Sequence, residues 1–198
     1  MQSNDPLISP EALSDPSIQC ATLENGCVAV LRVVGRGTFQ NSVALGQFSE
    51  AVYKQNPSCR YIADLAECST MDSTFMGTLA RIAIRQAESG GGKLVVCNCN
   101  ENNKRLLKTL GLHHLVDMRQ KAPEEAGKAA PLLQPAATGG VGRLDHILHM
   151  IEAHEQLVDL DTQNEVRFSN VLKYLRQSLE EESRAETLDD SVKRPDPS

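Results

Sequence analysis

Apolar residues in this chain come in short, nearly continuous runs that alternate with longer stretches of helical period. Cys27 to Val34 is an almost unbroken apolar run, the pattern of a strand buried on both faces, and Gly35-Arg36-Gly37 closes it. From Asn41, a candidate N-cap, the residues Val43, Leu45, Phe48, Ala51 and Val52 give a helix an apolar face as far as Tyr53, and Asn56-Pro57 stops it. Arg60 to Leu65 reads as a second buried strand and carries an acid, Asp64, near its end. A polar turn follows, then a helix from Thr74 to Glu88 with Phe75, Leu79, Ile82 and Ala83 on one side. Gly90-Gly91-Gly92 ends that helix and turns the chain into a third strand, Lys93 to Cys97. A third helix beginning at Glu101 or Asn102 directs Leu106, Leu107 and Leu110 inward, Gly111 caps it, and His114-Leu115-Val116 fits a short edge strand. Strands alternating with helices predict a layered α/β domain with mainly parallel strands.

The two ends have a different texture. Residues 1–19, rich in Pro, Ser and Asp, are expected as a flexible N-terminal arm ahead of a domain over residues 20–120. Residues 121–142 contain Pro123, Pro131, Pro135, late glycines and many alanines, the composition of a linker. Residues 143–182 return to a helical pattern: Leu144, Ile147, Ile151, Val158, Phe168, Leu172, Leu175 and Leu179 form an apolar stripe, with His154, Asp161 and Glu165 in intermediate seam positions. Such a stripe suits a homodimer through residues 143–182 or a docking element, and the break around Asp159–Asn164 allows two antiparallel helices instead. Residues 183–198, charged and Pro-ended, are expected as a disordered tail.

Charge and composition narrow the function classes. With 20 Lys and Arg against 26 Asp and Glu, the net charge is -6, which argues against a nucleic-acid partner. No apolar run approaches the ~18–20 residues needed to cross a bilayer, so no direct membrane insertion is expected. Met1-Gln2-Ser3-Asn4-Asp5-Pro6 has neither the basic start nor the apolar stretch of a secretory signal, and cytoplasmic localisation is the expectation. The six cysteines then read as reduced structural thiols. Cys97 and Cys99 form a C-x-C at a strand end, expected on one face, but no matching second pair completes a metal site. His146 and His149 lie one helical turn apart, also without completing ligands, and read as solvated or seam residues alongside His154. No triad, P-loop or dinucleotide motif is present, and Gly90-Gly91-Gly92 precedes a strand rather than a helix. The sequence therefore predicts no enzyme, no metal and no cofactor.

One local pattern carries candidate chemistry. In Asp72-Ser73-Thr74, at the expected helix start, Ser73 is a good N-cap whose hydroxyl can accept from a free N–H of the first turn. The positive end of a helix dipole lies at the same place, so a phosphate attached there would meet backbone N–H groups. By local pattern alone, a plain helix cap is the favoured account of Ser73.

The wider arrangement resembles the sulfate-transporter and anti-sigma-factor-antagonist (STAS) domains. Their pattern is a strand ending in Asp-Leu or Asn-Leu, a short turn, then Asp-Ser-(Ser/Thr)-Gly-Leu-Gly opening a helix, Gly-Gly before a strand, and a Lys-Arg-Leu helix ending in Gly-Leu. The matching residues here are Asp64-Leu65, Met71-Asp72-Ser73-Thr74, Gly77, Gly91-Gly92 with Lys93 to Cys97, Lys104-Arg105-Leu106-Leu107 and Gly111-Leu112. The resemblance spans residues 20–118 and implies a STAS-like sheet of about four to five strands with helices packed on one side, plus a C-terminal helical extension. It also implies a regulatory protein-binding module that binds an anti-sigma factor serine kinase and is switched by phosphorylation of Ser73, with Thr74 the second choice. The expected partner surface comprises Gly37, Thr38, Asp72, Ser73, Thr74, Phe75 and Met76. Phe75 stands where the family has Gly, and Gly35-Arg36-Gly37-Thr38-Phe39 replaces the family's Gly-Glu-Leu-Asp. Phe75 either packs inward or offers an aromatic anchor. Phe75 and the long C-terminal extension also suit an alternative: a non-phosphorylated STAS scaffold subunit in a signalling or membrane-transport assembly.

Overall fold

The computed structural model describes residues 17–24, 27–137 and 140–193, with side chains to residue 185. Residues 1–16 of the expected arm and 194–198 of the expected tail lie outside the described residues. In chain order the elements are β1 (Ser17–Leu23), β2 (Val28–Gly37), α1 (Phe39–Gln55), β3 (Arg60–Asp64), β4 (Cys68–Met71), α2 (Ser73–Glu88), β5 (Leu94–Cys97), α3 (Glu101–Thr109), β6 (Val116–Arg119), α4 (Glu124–Ala129), β7 (Gln134–Pro135), α5 (Arg143–Leu160) and α6 (Gln163–Lys193).

The sheet has seven strands in the order β6-β5-β3-β2-β1-β7, with β4 paired to the far end of β2. The β2–β3, β3–β5 and β5–β6 pairs are parallel, as the alternation of strands and helices requires. The antiparallel β1–β2 pair supplies a strand that the sequence pattern does not announce. Ser17–Leu23 mixes polar with apolar residues, and it takes its place by pairing along the long β2 strand. β4 is likewise too short and polar to declare itself: Gly35 takes a positive φ of 77°, and the register shifts between Gly35 and Arg36 where β2 turns to pair with β4.

Alternation along β2 divides the sheet into two faces. Ala29, Leu31 and Val33 face the main core with Phe75, Leu79 and Ile82 of α2 and Leu107 of α3. Val28 and Val30 join Ala21, Ile62 and Cys97 on the other side, beneath Ala126 and Ala129 of α4. Thus α4, inside the segment expected as a linker, covers the second face, because alanines at i and i+3 allow a close approach to the two valines. β7, from the same segment, pairs with β1.

Several expected boundaries move. α1 begins at Phe39 with Thr38 as N-cap; Asn41, expected as the cap, lies within the first turn and accepts from the Thr38 N–H at 2.8 Å. The strand expected at His114–Val116 is β6, two residues later, after a 3-10 turn over Leu112–His114. Cys97 and Cys99 do not share a face. Asn98 between them takes a positive φ of 56°, which breaks the alternation, so Cys97 joins the α4 side and Cys99 the main core.

The C-terminal stripe folds into a hairpin. Ile147 and Ile151 of α5 pack against Leu172 and Leu175 of α6, with Met150, Val158, Phe168 and Leu179 around them. The other side of α5 lies on α2, and Leu157 enters the main core fully buried. The apolar surface expected to engage a second copy is therefore covered within one chain. At the hairpin tip the wholly buried Asn164 donates to the carbonyls of Leu157 at 2.7 Å and Leu110 at 3.2 Å. Arg167 donates to the Thr109 carbonyl, which satisfies an orphan acceptor at the end of α3.

Candidate functional site

The starts of α1 and α2 meet at Asp72. Its Oδ1 accepts from the Phe75 N–H at 2.9 Å and its Oδ2 from the Phe39 N–H at 2.7 Å. Asp72, not Ser73, is therefore the N-cap of α2, and Ser73 is the first helical residue. A carboxylate wins this position because it has two acceptor oxygens, one for each helix start. It also lies at the positive ends of two helix dipoles. Its backbone N–H donates to the Gly37 carbonyl at 2.9 Å, tying the end of β2 to the same point.

Phe75 packs inward and is fully buried. A Cβ on Gly37 would stand 2.7 Å from Phe75 Cδ1, too close to be accommodated without displacing the ring. The two departures from the family pattern thus fit each other: Phe75 fills the space that Gly37 leaves. Thr74, Met76 and Gly37 are buried as well, and Thr38 is half-buried as a helix cap. The structure brings the seven expected partner-surface residues together, but Thr74, Phe75, Met76 and Gly37 are turned into the fold. Asp72, Ser73 and Thr38 keep partial exposure.

Ser73 carries a contact that the sequence reading does not supply. Its Oγ lies 2.9 Å from Nε2 of His154 on α5. Nδ1 of the same ring lies 2.7 Å from the Met150 carbonyl, which can only accept. In the neutral ring the proton is therefore on Nδ1, and Nε2 accepts from the Ser73 hydroxyl. His154 is only 4% exposed and packs edge-on against Phe168 with ring centroids 4.9 Å apart.

A second histidine of α5 makes a parallel contact one turn earlier. His149 Nε2 lies 3.0 Å from Ser42 Oγ and 3.1 Å from Thr78 Oγ1. Each hydroxyl donates its single proton to a backbone carbonyl, Ser42 to Phe39 and Thr78 to Thr74. Both must then accept from Nε2–H. Burial, with Arg81 and His146 adding repulsion, lowers the His149 pKa to about 4. Between these contacts α2 and α5 touch backbone to backbone: a Cβ on Gly77 would fall 2.1 Å from the Ala153 carbonyl oxygen. Arg81 and Glu152 close the edge of the interface at 3.2 Å.

His149 and His154, read from sequence as solvated or seam residues, are the functional-site residues missed. Their signal is a second stripe on α5, running through His149, Ala153, His154 and Leu157 beside the apolar one.

The remaining candidates are structural. Asp64 is buried, accepts from Asn98 Nδ2 at 2.8 Å and from the Ala66 N–H at 3.2 Å, and pairs with Arg32 at 3.4 Å. Burial pushes the thiol of Cys97 up to about 12 and that of Cys99 up to about 11, away from the reactive thiolate form. Among the described residues no three His, Cys, Asp or Glu side chains are grouped to hold a metal ion. Nor is any described helix long and apolar enough to cross a membrane.

No curated protein matches the chain. Among solved structures it is similar to a candidate anti-sigma factor antagonist from Thermotoga maritima, at 18% identity and TM-score 0.44, over 56% of this chain and 92% of that one. It is also similar to the anti-sigma factor antagonist SpoIIAA in its unphosphorylated form, at 16% identity and TM-score 0.46, over 59% of this chain and 98% of that one. The Bacillus cell fate determinant SpoIIAA in its phosphorylated form aligns at 17% identity and TM-score 0.46, over 57% of this chain and 97% of that one. The sequence model of the STAS domain matches residues 19–125, more than half of the chain, and it takes in every strand from β2 to β6 and the Asp72-Ser73 helix start. The protein belongs to the STAS domain family.

Proposed function

We propose that this protein is a cytoplasmic, non-enzymatic regulatory module of the anti-sigma-factor-antagonist kind, which binds a serine-kinase anti-sigma factor and is switched by phosphorylation of Ser73. The observation that carries the reading is the placement of Ser73. It is the first residue of α2, partly exposed, in the STAS pattern Asp-Ser-Thr, where two helix starts converge. In the reaction the γ-phosphoryl group of ATP passes to Ser73 Oγ: the new Oγ–P bond replaces the O–H bond, the proton leaves and ADP departs. The product carries roughly two negative charges beside Asp72, which adds repulsion and a desolvation cost against an acidic partner surface.

The test is incubation of the full chain with the kinase and ATP, followed by mass spectrometry and binding measurements. Phosphate on Ser73, with Ser73→Asp binding the kinase at least ~10-fold more weakly than Ser73→Ala, is the expected result. Absence of phosphate, with the two variants binding equally, removes the switch.

The Ser73–His154 bond favours a second reading, in which the module is a STAS scaffold subunit of a signalling or membrane-transport assembly and Ser73 stays unmodified. Recovery of permease subunits rather than a kinase with the tagged protein decides for the scaffold. For a homodimer through residues 143–182, in either reading, the large apolar side chains left exposed are Leu148 of α5 and Val166, Val171 and Tyr174 of α6.

A further inference from the structure

We propose that the α5–α6 hairpin is an internal cover of the Ser73 surface, latched by the Ser73–His154 hydrogen bond, and that a phosphate on Ser73 and a docked hairpin exclude one another. The proposal rests on the reading of Ser73 as a phosphate acceptor for its trigger, while the exclusion itself follows from geometry.

The gap between Ser73 Oγ and His154 Nε2 is a single hydrogen bond of 2.9 Å. A phosphoserine has no proton on Oγ to donate, and with Ser73 in its present rotamer the phosphorus and terminal oxygens would need the space that the ring fills. The ring has nowhere to go. It is almost completely buried, fixed on one side by the Met150 carbonyl at 2.7 Å and on the other by Phe168. Retreat of the whole helix is the remaining adjustment, since the backbones of α2 and α5 already touch at Gly77 and Ala153.

The latch is set in a separable layer. The interface of α5 with the domain consists of Gly77, Ala153 and histidine–hydroxyl contacts through much of its length. The apolar seam of α5 faces α6 and moves with the hairpin. Undocking therefore leaves that seam closed and withdraws Leu157, with Leu160 and Phe168 beside it, from the main core. A partner that needs the start of α2 finds Ser73 bonded to α5 and only partly exposed, so the cover makes access conditional.

The test uses the full chain with phosphoserine placed at position 73 during translation, followed by hydrogen–deuterium exchange. The expected result is about tenfold faster exchange or more over residues 143–182, with β2, β3 and β5 unchanged. Exchange in the hairpin that is unchanged, or slower because phosphate pairs with a protonated His154, overturns the proposal. Gly77→Ala provides a phosphate-free check: its methyl would meet the Ala153 carbonyl, so the same segment opens while α2 remains helical. A hairpin as protected in Gly77→Ala as in the unaltered chain also overturns the proposal. The two readings fail separately. If no kinase modifies Ser73 yet installed phosphate opens the hairpin, the latch stands without the kinase switch; if a kinase modifies Ser73 and the hairpin stays closed, the reverse holds.

Discussion

Around β2 and β3 the core is carried by Val28, Val30, Leu31 and Ile62, large or β-branched apolar residues, and the buried acid Asp64 is held by Arg32 and Asn98. The layer between α2 and α5 is built instead from Gly77, Ala153, His149 and His154, with Leu157 as its fully buried apolar anchor. The first kind of contact derives its stability from apolar area removed from water and is lost only when the fold is lost. The second derives it from close backbone approach and from hydrogen bonds that exchange readily for bonds to water, each worth about 1 kcal/mol net. A protein joined in these two ways should open at the hairpin well before the sheet unfolds.

The strongest challenge to that comparison is Phe75→Ala. Phe75 belongs to the sheet core although it lies two residues from the candidate phosphosite. Its truncation should cost about 3–5 kcal/mol of global stability, read by denaturant titration, with sheet and hairpin lost in one transition. Selective opening of the hairpin alone would place Phe75 on the wrong side of the boundary.

Leu157→Ala tests the other side. The residue is fully buried but belongs to the hairpin. About 2–3 kcal/mol should disappear from the protection of residues 143–182, while the amides of β3 and β5 keep theirs. Equal losses in both regions would make the hairpin part of a single cooperative unit.

Asn164→Ala acts at the hairpin tip with a smaller effect. It leaves the Leu110 carbonyl without its side-chain donor, takes one of two donors from the Leu157 carbonyl, which keeps the Asp161 N–H, and removes an acceptor for Arg167. A loss of about 1–2 kcal/mol is expected, confined to the hairpin and visible first at residues 157–167.

How far the sequence disclosed this division depends on which interaction built each part. The parallel strands were legible because Cys27–Val34, Arg60–Leu65 and Lys93–Cys97 are apolar runs whose burial depends little on detailed partners. β1 and β4 were not, since Ser17–Leu23 and Cys68–Met71 become strands only through pairing with β2. α4 was hidden by its alanines, which look like linker composition until two valines are placed beneath them. At the site, the Asp72-Ser73-Thr74 start was visible, but which oxygen capped the helix was not. That choice depends on Phe39, a residue 33 positions away. Gly77 stood out as a motif glycine, yet its role here, admitting the α5 backbone, requires a helix from the far end of the chain. Periodicity also revealed one apolar stripe on α5 and left the histidine-bearing stripe looking like solvent-facing residues.

The smallest and most specific effect concerns pH. His149 has a folded pKa of about 4 against an ordinary value of 6.5, so the docked hairpin holds this ring neutral. Above pH 6.5 neither state binds the proton and docking has its full stability. Between pH 6.5 and 4 the undocked state takes up a proton that the docked state refuses, so stability falls as pH falls. The ring is only half-buried, which limits the loss on acidification from pH 7.5 to 4.5 to about 1–2 kcal/mol. Exchange of residues 143–160, corrected for the intrinsic pH dependence of amide chemistry, should rise across that window, while β2 stays protected. In His149→Gln the side-chain amide can still donate to Ser42 and Thr78 but cannot titrate, so this component of the pH dependence should vanish. A variant that retains the full pH response would take the titration away from His149.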